Sequence, residues 1–120
     1  KVLDQGLHPD GVSTDGHRGN RAGPVYDLPT TMAKLMALGF SLNQVIEMAT
    51  INAAKLLGRA GKLGTLEIDH PAELSVLKVE ERDWKAVDSQ KGTIPAHQAI
   101  TPVYAIRGEM IYAAMPDERP

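Results

Sequence analysis

The sequence predicts an α/β chain with two parts, residues 1–62 and residues 63–120. In the first part a short apolar run and a Gly-rich loop precede apolar residues that recur at helical spacing between capping signals. In the second part short apolar runs alternate with polar residues and are separated by Gly- and Pro-containing turns. These observations predict one short strand and three helices, followed by a small β domain.

Composition limits the possible functions. With 120 residues the chain is long enough for one domain with a hydrophobic core, and 42% hydrophobic and 23% charged residues are ordinary for a globular protein. The net charge of −2 and the lack of a Lys/Arg cluster argue against a nucleic-acid partner. Cysteine is absent, which excludes disulfides and thiolate metal sites and fits a cytoplasmic protein. No apolar run is long enough to span a membrane, so we expect no membrane partner.

The first apolar run leads to a carboxylate. We predict a short strand over residues 11–14, with Asp15 at its end and a loop over residues 16–26. That loop is long for a strand-to-helix connection, and its length is typical of functional loops. A carboxylate beneath a Gly-rich loop suits a site at the carboxyl ends of parallel strands. The alternative interpretation is a solvated turn aspartate, because Asp-Gly is itself a turn signal.

Two histidines lie near this carboxylate. His17 follows Asp15 by two residues, so an extended chain would place both on one side. Two interpretations stay open for His17: it contacts substrate or orients the carboxylate, or it is a loop histidine in water. His8 precedes Pro9, and we expect it to be structural or solvent-facing. Asn20 is expected to supply polar contacts in the loop.

Capping signals define the first helix. Asp27 is a candidate N-cap, and Pro29 suits the first turn because its missing N–H would be unpaired there anyway. Gly39 is expected to end this helix. The apolar stripe of the helix comprises Leu28, Met32, Leu35 and Met36.

Two shorter helices are predicted next. Ser41 begins the second with a capping box to Gln44, and Asn52 is expected to cap a third that stops at Gly58. The apolar face of the second helix comprises Leu42, Val45, Ile46 and Ala49.

Short strands are predicted in the second part, over residues 65–68, 73–79, 84–87, 99–106 and 110–113. We expect a charged turn at residues 80–83, a loop at residues 89–92 and a hairpin at residues 107–109. We further expect an exposed His70, a loop position for His97, packing roles for Trp84, Tyr104 and Tyr112, and a disordered polar tail from Pro116.

Six segments carry a family resemblance: STD (13–15), GP (23–24), DLPTTMAK (27–34), ATINAAKLLG (49–58), KLGTL (62–66) and AELSV (72–76). Taken together, they resemble the C-terminal third of an amidohydrolase-superfamily enzyme of the dihydroorotase-like amidohydrolase/deacetylase branch. The resemblance implies the C-terminal end of a (β/α)8 TIM-barrel metallohydrolase, with its last strand and following helices, plus part of a small β-sandwich domain. Because the chain starts at Lys1 without a methionine, we expect a fragment of a longer enzyme.

The resemblance also implies a site. Asp15 matches the aspartate after the eighth barrel strand, which is a metal ligand and the general base that acts with a metal-activated water. His17 and the backbone of Ala22 and Gly23 would bind a small-molecule substrate with an amide or related C–N bond. The implied cofactor is one or two divalent metal ions, typically zinc. The remaining ligands are not in this chain, because no His-x-His pair occurs in it.

A second hypothesis is an inactive or structural dihydroorotase-like module without a metal site, since that group includes non-catalytic assembly subunits. On either hypothesis the isolated chain is expected to be inactive, because one carboxylate cannot hold a metal that needs about three protein ligands. It is also expected to be homo-oligomeric or self-associating. The reason is that the helix faces carrying Leu35, Met36, Val45 and Ile46 would lack their barrel partners.

Overall fold

A computed structural model describes residues 2–115 of the chain, and these residues form an α/β structure. The predicted disordered tail, residues 116–120, lies outside the described residues. A 3-10 turn at Leu3–Gln5 precedes the regular elements. These are helices α1 (Leu28–Ala37), α2 (Leu42–Ala49) and α3 (Ile51–Leu56), and strands β1 (Glu73–Val87), β2 (Thr93–Arg107) and β3 (Met110–Ala113).

Both predicted ends of α1 and the predicted start of α2 are confirmed. Asp27 caps α1 by accepting a hydrogen bond from the Thr30 N–H at 2.7 Å. Gly39 follows the end of α1 with a φ of 106°, a conformation that favours glycine. At α2, Ser41 and Gln44 form both hydrogen bonds of the capping box, at 2.8 and 3.2 Å.

The third helix begins earlier than predicted. Asn52 lies inside α3, and Thr50 is both the C-cap of α2 and the N-cap of α3. The Thr50 hydroxyl donates back to the Ile46 carbonyl at 2.6 Å, so this residue serves the helix before it. The chain turns from one helix into the next through Thr50 alone, which leaves no separate position for an asparagine cap.

Within the described residues the strands form one antiparallel sheet in the order β1-β2-β3. The predicted turn at residues 80–83 is wrong, because β1 continues through it. A register shift between Glu81 and Trp84 absorbs an extra residue, as a β-bulge does. The charged side chains stay on the ladder with cross-strand partners: Glu81 accepts from Gln98 at 2.8 Å, and Asp83 contacts His97 at 2.6 Å. The loop at residues 89–92 and the hairpin at residues 107–109 are confirmed.

Two predicted strands do not form. Residues 11–14 form no regular secondary structure, and the Val12 N–H donates to the Met48 carbonyl at 3.2 Å. A parallel strand needs neighbouring strands, and residues 2–115 supply none beside this segment. Residues 65–68 run through bends and turns instead. There the Thr65 hydroxyl hydrogen-bonds His70 Nδ1 at 2.9 Å.

Several side chains of the β part differ from expectation. The His70 side chain is only 18% exposed and contacts Glu67, so its predicted exposure is wrong. His97 lies in β2 and not in a loop. Trp84 packs on the core as predicted, whereas Tyr104 and Tyr112 are 45% and 53% exposed. The tyrosines lie where residues 2–115 provide no second layer over the sheet.

The core lies where the helices meet β2. Its central side chains are Val45 of α2 and Ile100 of β2, which are 0% and 1% exposed. The expectation that the helix faces lack partners is therefore wrong for Val45, and Leu35 and Met36 also pack against this core. The buried cluster comprises Met32, Ala33, Phe40, Val45, Met48 and Ile100.

The described residues confirm the α/β class but not the sandwich, since they contribute a single three-stranded sheet. The division at residues 62 and 63 stays a prediction. The longest helix, α1, has 10 residues, and no helix within residues 2–115 has the length and apolarity needed to cross a membrane.

Candidate functional site

Asp15 opens the loop between residues 11–14 and α1. Its φ is 46°, a left-handed conformation that aspartate tolerates better than most residues. The adjacent Thr14 hydroxyl accepts the Gly16 N–H at 3.1 Å and so tightens the turn. The Asp15 carboxylate is exposed and makes no hydrogen bond to any of the residues 2–115. It is therefore available to a ligand from outside the described residues.

Asn20 organises the loop that follows. Its side-chain N–H donates to the Asp15 carbonyl at 3.0 Å, and its side-chain oxygen accepts the His17 N–H at 2.8 Å. Its own carbonyl accepts the N–H groups of Gly23 and Val25 at 3.1 and 3.2 Å. A single asparagine thus ties the start of the loop to its end. Sequence reasoning predicted polar contacts from Asn20 but not this central position.

The His17 ring is exposed and hydrogen-bonded within its own loop. Its ring Nδ1 accepts the Gly19 N–H at 3.0 Å, so the ring is held by its own loop and not by the Asp15 carboxylate. A nitrogen that accepts carries no proton, and the neutral ring therefore has its proton on Nε2. The side chain is exposed. Its contact with substrate stays a prediction.

Ala22 and Gly23 lie at the end of the loop, the first exposed and the second half-buried. Gly23 has a φ of 135°, and a Cβ atom there would come within 2.9 Å of the Tyr26 hydroxyl. Glycine is therefore required by both the backbone and the close aromatic ring. The Gly23–Pro24 peptide bond is cis. Substrate binding by these two residues also stays a prediction.

Lys34 of α1 contacts the end of this loop, a role that sequence reasoning missed. Its Nζ donates to the carbonyl of Pro24 and, at 2.8 Å, to the carbonyl of Val87 at the end of β1. Burial lowers the pKa of Lys34, and the negative charge of Asp88 partly opposes that shift. The partners are backbone groups far along the chain, so no pattern in the sequence identifies them.

The metal that the resemblance implies can be tested against the donor set. Within residues 2–115 no three His, Cys, Asp or Glu side chains come close enough together to hold a metal ion. Asp15 offers one carboxylate, and the Nδ1 atom of His17 is already engaged. A catalytic metal needs about three protein ligands. The described residues therefore do not form a metal site by themselves.

The family follows from comparison with known sequences. The sequence profile of the amidohydrolase family matches residues 1–110, which include the loop and every helix and strand except most of β3. The chain belongs to the amidohydrolase family. This match confirms the predicted resemblance and places Asp15, His17, Ala22 and Gly23 inside the family region.

Curated relatives agree with this assignment. The chain is 37% identical to a deacetylase of Enterococcus faecalis over 112 residues, which are 92% of this chain and 30% of that protein. It is 32% identical to deacetylase Atu3266 of Agrobacterium fabrum over 113 residues, or 94% of this chain and 28% of that protein. The chain thus spans less than a third of the length of these relatives.

Solved structures give the same result. An adenine deaminase superposes with a TM-score of 0.85 at 34% identity, covering 94% of this chain and 31% of that one. A dihydroorotase superposes with a TM-score of 0.84 at 29% identity, covering 93% of this chain and 30% of that one. The chain corresponds to less than a third of each of these structures.

Proposed function

We propose that this chain forms the C-terminal part of an amidohydrolase that hydrolyses an amide or related C–N bond of a small molecule. The observation that carries the proposal is an exposed carboxylate, Asp15, at the start of a hydrogen-bonded loop within the family match. Because two relatives are named deacetylases, we favour substrates with an amide-type bond over substrates of other classes.

In this proposal Asp15 transfers a proton twice. The water oxygen forms a bond to the carbonyl carbon while the Asp15 carboxylate accepts a proton from that water. When the C–N bond breaks, the same carboxyl group donates the proton to the leaving nitrogen. The products are a carboxylic acid and an amine, and Asp15 returns to its ionised state.

The proposed cofactor is one or two divalent metal ions, most simply zinc, to which Asp15 contributes one oxygen ligand. Such an ion, when bound, lowers the pKa of a coordinated water and polarises the carbonyl. The remaining ligands would come from residues outside this chain, because the described residues lack them.

Substrate contacts are proposed for the same loop. The Nε2–H of His17 is a hydrogen-bond donor without a partner in the described residues, and it suits a substrate oxygen. The exposed backbone of Ala22 and the adjoining Gly23 would line the pocket.

The test is Asp15→Asn in the longer protein of which this chain is proposed to be a part. The amide is nearly isosteric but cannot take the proton, and loss of a general base costs about 10²–10⁴-fold in rate. The assay is kcat/KM on a panel of N-acetylated amines and cyclic ureides, with metal content and thermal unfolding measured alongside. Asp10→Asn is the matched control, because Asp10 is an exposed carboxylate outside the loop.

The two hypotheses predict different results. If the chain serves an inactive, structural module, the parent protein shows no turnover and Asp15→Asn changes neither its metal content nor its assembly. Near-normal turnover of a folded Asp15→Asn variant would contradict the role of Asp15 as base.

A further inference from the structure

Lys34 joins two segments that are far apart in the sequence. Its ammonium group donates to the Pro24 carbonyl at the end of the Asp15 loop, and to the Val87 carbonyl, 53 residues further along the chain than Lys34. The side chain is half-buried between them. A lysine in a helix facing solvent would make neither contact.

The Val87 end of this contact is held firmly. The turn after β1 is closed by the Asp88 carboxylate, which accepts the N–H groups of Gln90 and Gly92 at 2.8 and 2.7 Å. Gly92 lies so close that a Cβ atom there would come within 2.7 Å of Asp88 Oδ2. The carbonyl that Lys34 contacts is therefore fixed by the sheet and by a tight turn.

The Pro24 end leads back to the carboxylate. Pro24 lies between Gly23 and Val25, whose N–H groups both donate to the Asn20 carbonyl. The Asn20 side chain in turn donates to the Asp15 carbonyl at 3.0 Å. Lys34 thus holds Pro24, the chain neighbours of Pro24 are hydrogen-bonded to Asn20, and Asn20 is hydrogen-bonded to the backbone of Asp15.

The chemistry of lysine suits this position. The ammonium group has three donors and no acceptor, so it satisfies two carbonyl groups at once. The nearby Asp88 charge offsets part of the cost of burying the cation. An apolar residue at this place would remove the Lys34 hydrogen bond from both carbonyls.

We propose that Lys34 is a positioning residue for Asp15. It fixes the end of the loop at residues 15–26 against the turn between β1 and β2, and so sets where the Asp15 carboxylate stands. This inference rests on the proposed function of Asp15.

The experiment compares Lys34→Met, Lys34→Arg and Lys55→Met in the longer active protein. Lys55 is the matched control, because it is an exposed lysine in the last turn of α3. We expect Lys34→Met to lower kcat by up to about 100-fold, the loss typical of a small misplacement of a reacting group, with little change in KM. Lys34→Arg keeps the charge and the donors and should recover part of kcat. Lys55→Met should match the unmodified protein.

A double-mutant cycle separates positioning from general stability. If Lys34 acts through Asp15, Lys34→Met should cause no further fall in kcat/KM when Asp15 is already asparagine. Amide exchange of Val25 and Tyr26 should accelerate in Lys34→Met, while α2 keeps its protection. Should Lys34→Met fail to fold, Lys34→Gln, which retains donors, is measured in the same cycle.

The outcomes distinguish the two ideas. Full activity of Asp15→Asn would refute the proposed function. A normal kcat for folded Lys34→Met would refute the positioning role alone. So would a loss of kcat in either Lys34 variant that is equally large in the wild-type and the Asp15→Asn backgrounds. Loss of kcat in Lys34→Met that vanishes in the Asp15→Asn background would support it.

Discussion

Replacing Asn20 by alanine removes both side-chain hydrogen bonds that hold the start of the Asp15 loop. One runs from Asn20 to the Asp15 carbonyl at 3.0 Å, and the other from the His17 N–H to Asn20 at 2.8 Å. A typical intramolecular hydrogen bond contributes about 0.5–1.5 kcal/mol net, so two contribute about 1–3 kcal/mol. Both bonds are exposed, which favours the lower end. A loss of about 1.4 kcal/mol would make local opening of the loop about ten times more frequent.

Asn20→Asp divides this effect between the two bonds. Aspartate keeps an oxygen that accepts the His17 N–H but loses the N–H that donates to the Asp15 carbonyl. The assay is amide hydrogen exchange at His17, with kcat measured in the longer protein. We expect faster exchange in Asn20→Ala, near-normal exchange in Asn20→Asp, and a lower kcat in both. Asn43→Ala is the control, because Asn43 is an exposed asparagine on α2.

Unchanged exchange at His17 in Asn20→Ala would refute the central place of Asn20 in the loop. A normal kcat in both variants, with exchange altered as expected, would show that the order of the loop does not affect the catalytic role of Asp15.

Two further predictions concern the chain itself. Purified residues 1–120 should show no hydrolysis of amide substrates even with added zinc, because Asp15 alone cannot hold a catalytic metal. Turnover that survives stringent purification would contradict the assignment of Asp15 as one ligand among several that lie outside this chain. Val45→Ala should lower the free energy of unfolding by about 2–3 kcal/mol, because it removes two methyl groups from a fully buried site. Ile46→Ala, at a position 37% exposed, should cost clearly less in the same denaturant titration.

The sequence predicted the features that depend on near neighbours. Asp27 and the Ser41–Gln44 pair cap their helices with partners three residues away, so the pattern contains all the information needed. The prediction of a strand at residues 11–14 was wrong for the opposite reason. Its partners would be parallel strands that residues 2–115 do not provide, and an apolar run cannot form a ladder alone.

The candidate site divides in the same way. Asp15 was identified because its neighbours resemble a family, but the roles of Asn20 and Lys34 were not. Their partners are mostly backbone groups. Backbone groups have the same chemistry at every position, so the sequence does not indicate which of them a side chain will contact. The predicted turn at residues 80–83 failed because a bulge and cross-strand pairs keep its charges on the sheet.

The isolated chain should self-associate through its uncovered apolar surface. Leu66 and Ile68 are 86% and 90% exposed, and on the sheet Tyr104 and Ile111 are 45% and 66% exposed. All four residues of β3 are exposed, so this strand is an unprotected edge as well as an apolar surface. Contiguous apolar patches larger than a few hundred Å² are rare on soluble monomers.

Light scattering at micromolar concentration, with a dye that binds apolar surface, measures this directly. Ile111→Lys should shift the population towards monomer, because a charge on the edge strand opposes pairing, whereas Ser89→Lys in the exposed turn adds the same charge and should not. A compact monomer with sharp side-chain NMR signals and no dye binding would show that these residues need no further cover. The chain would then be an autonomous domain, and the expectation that it self-associates through uncovered apolar surface would be wrong.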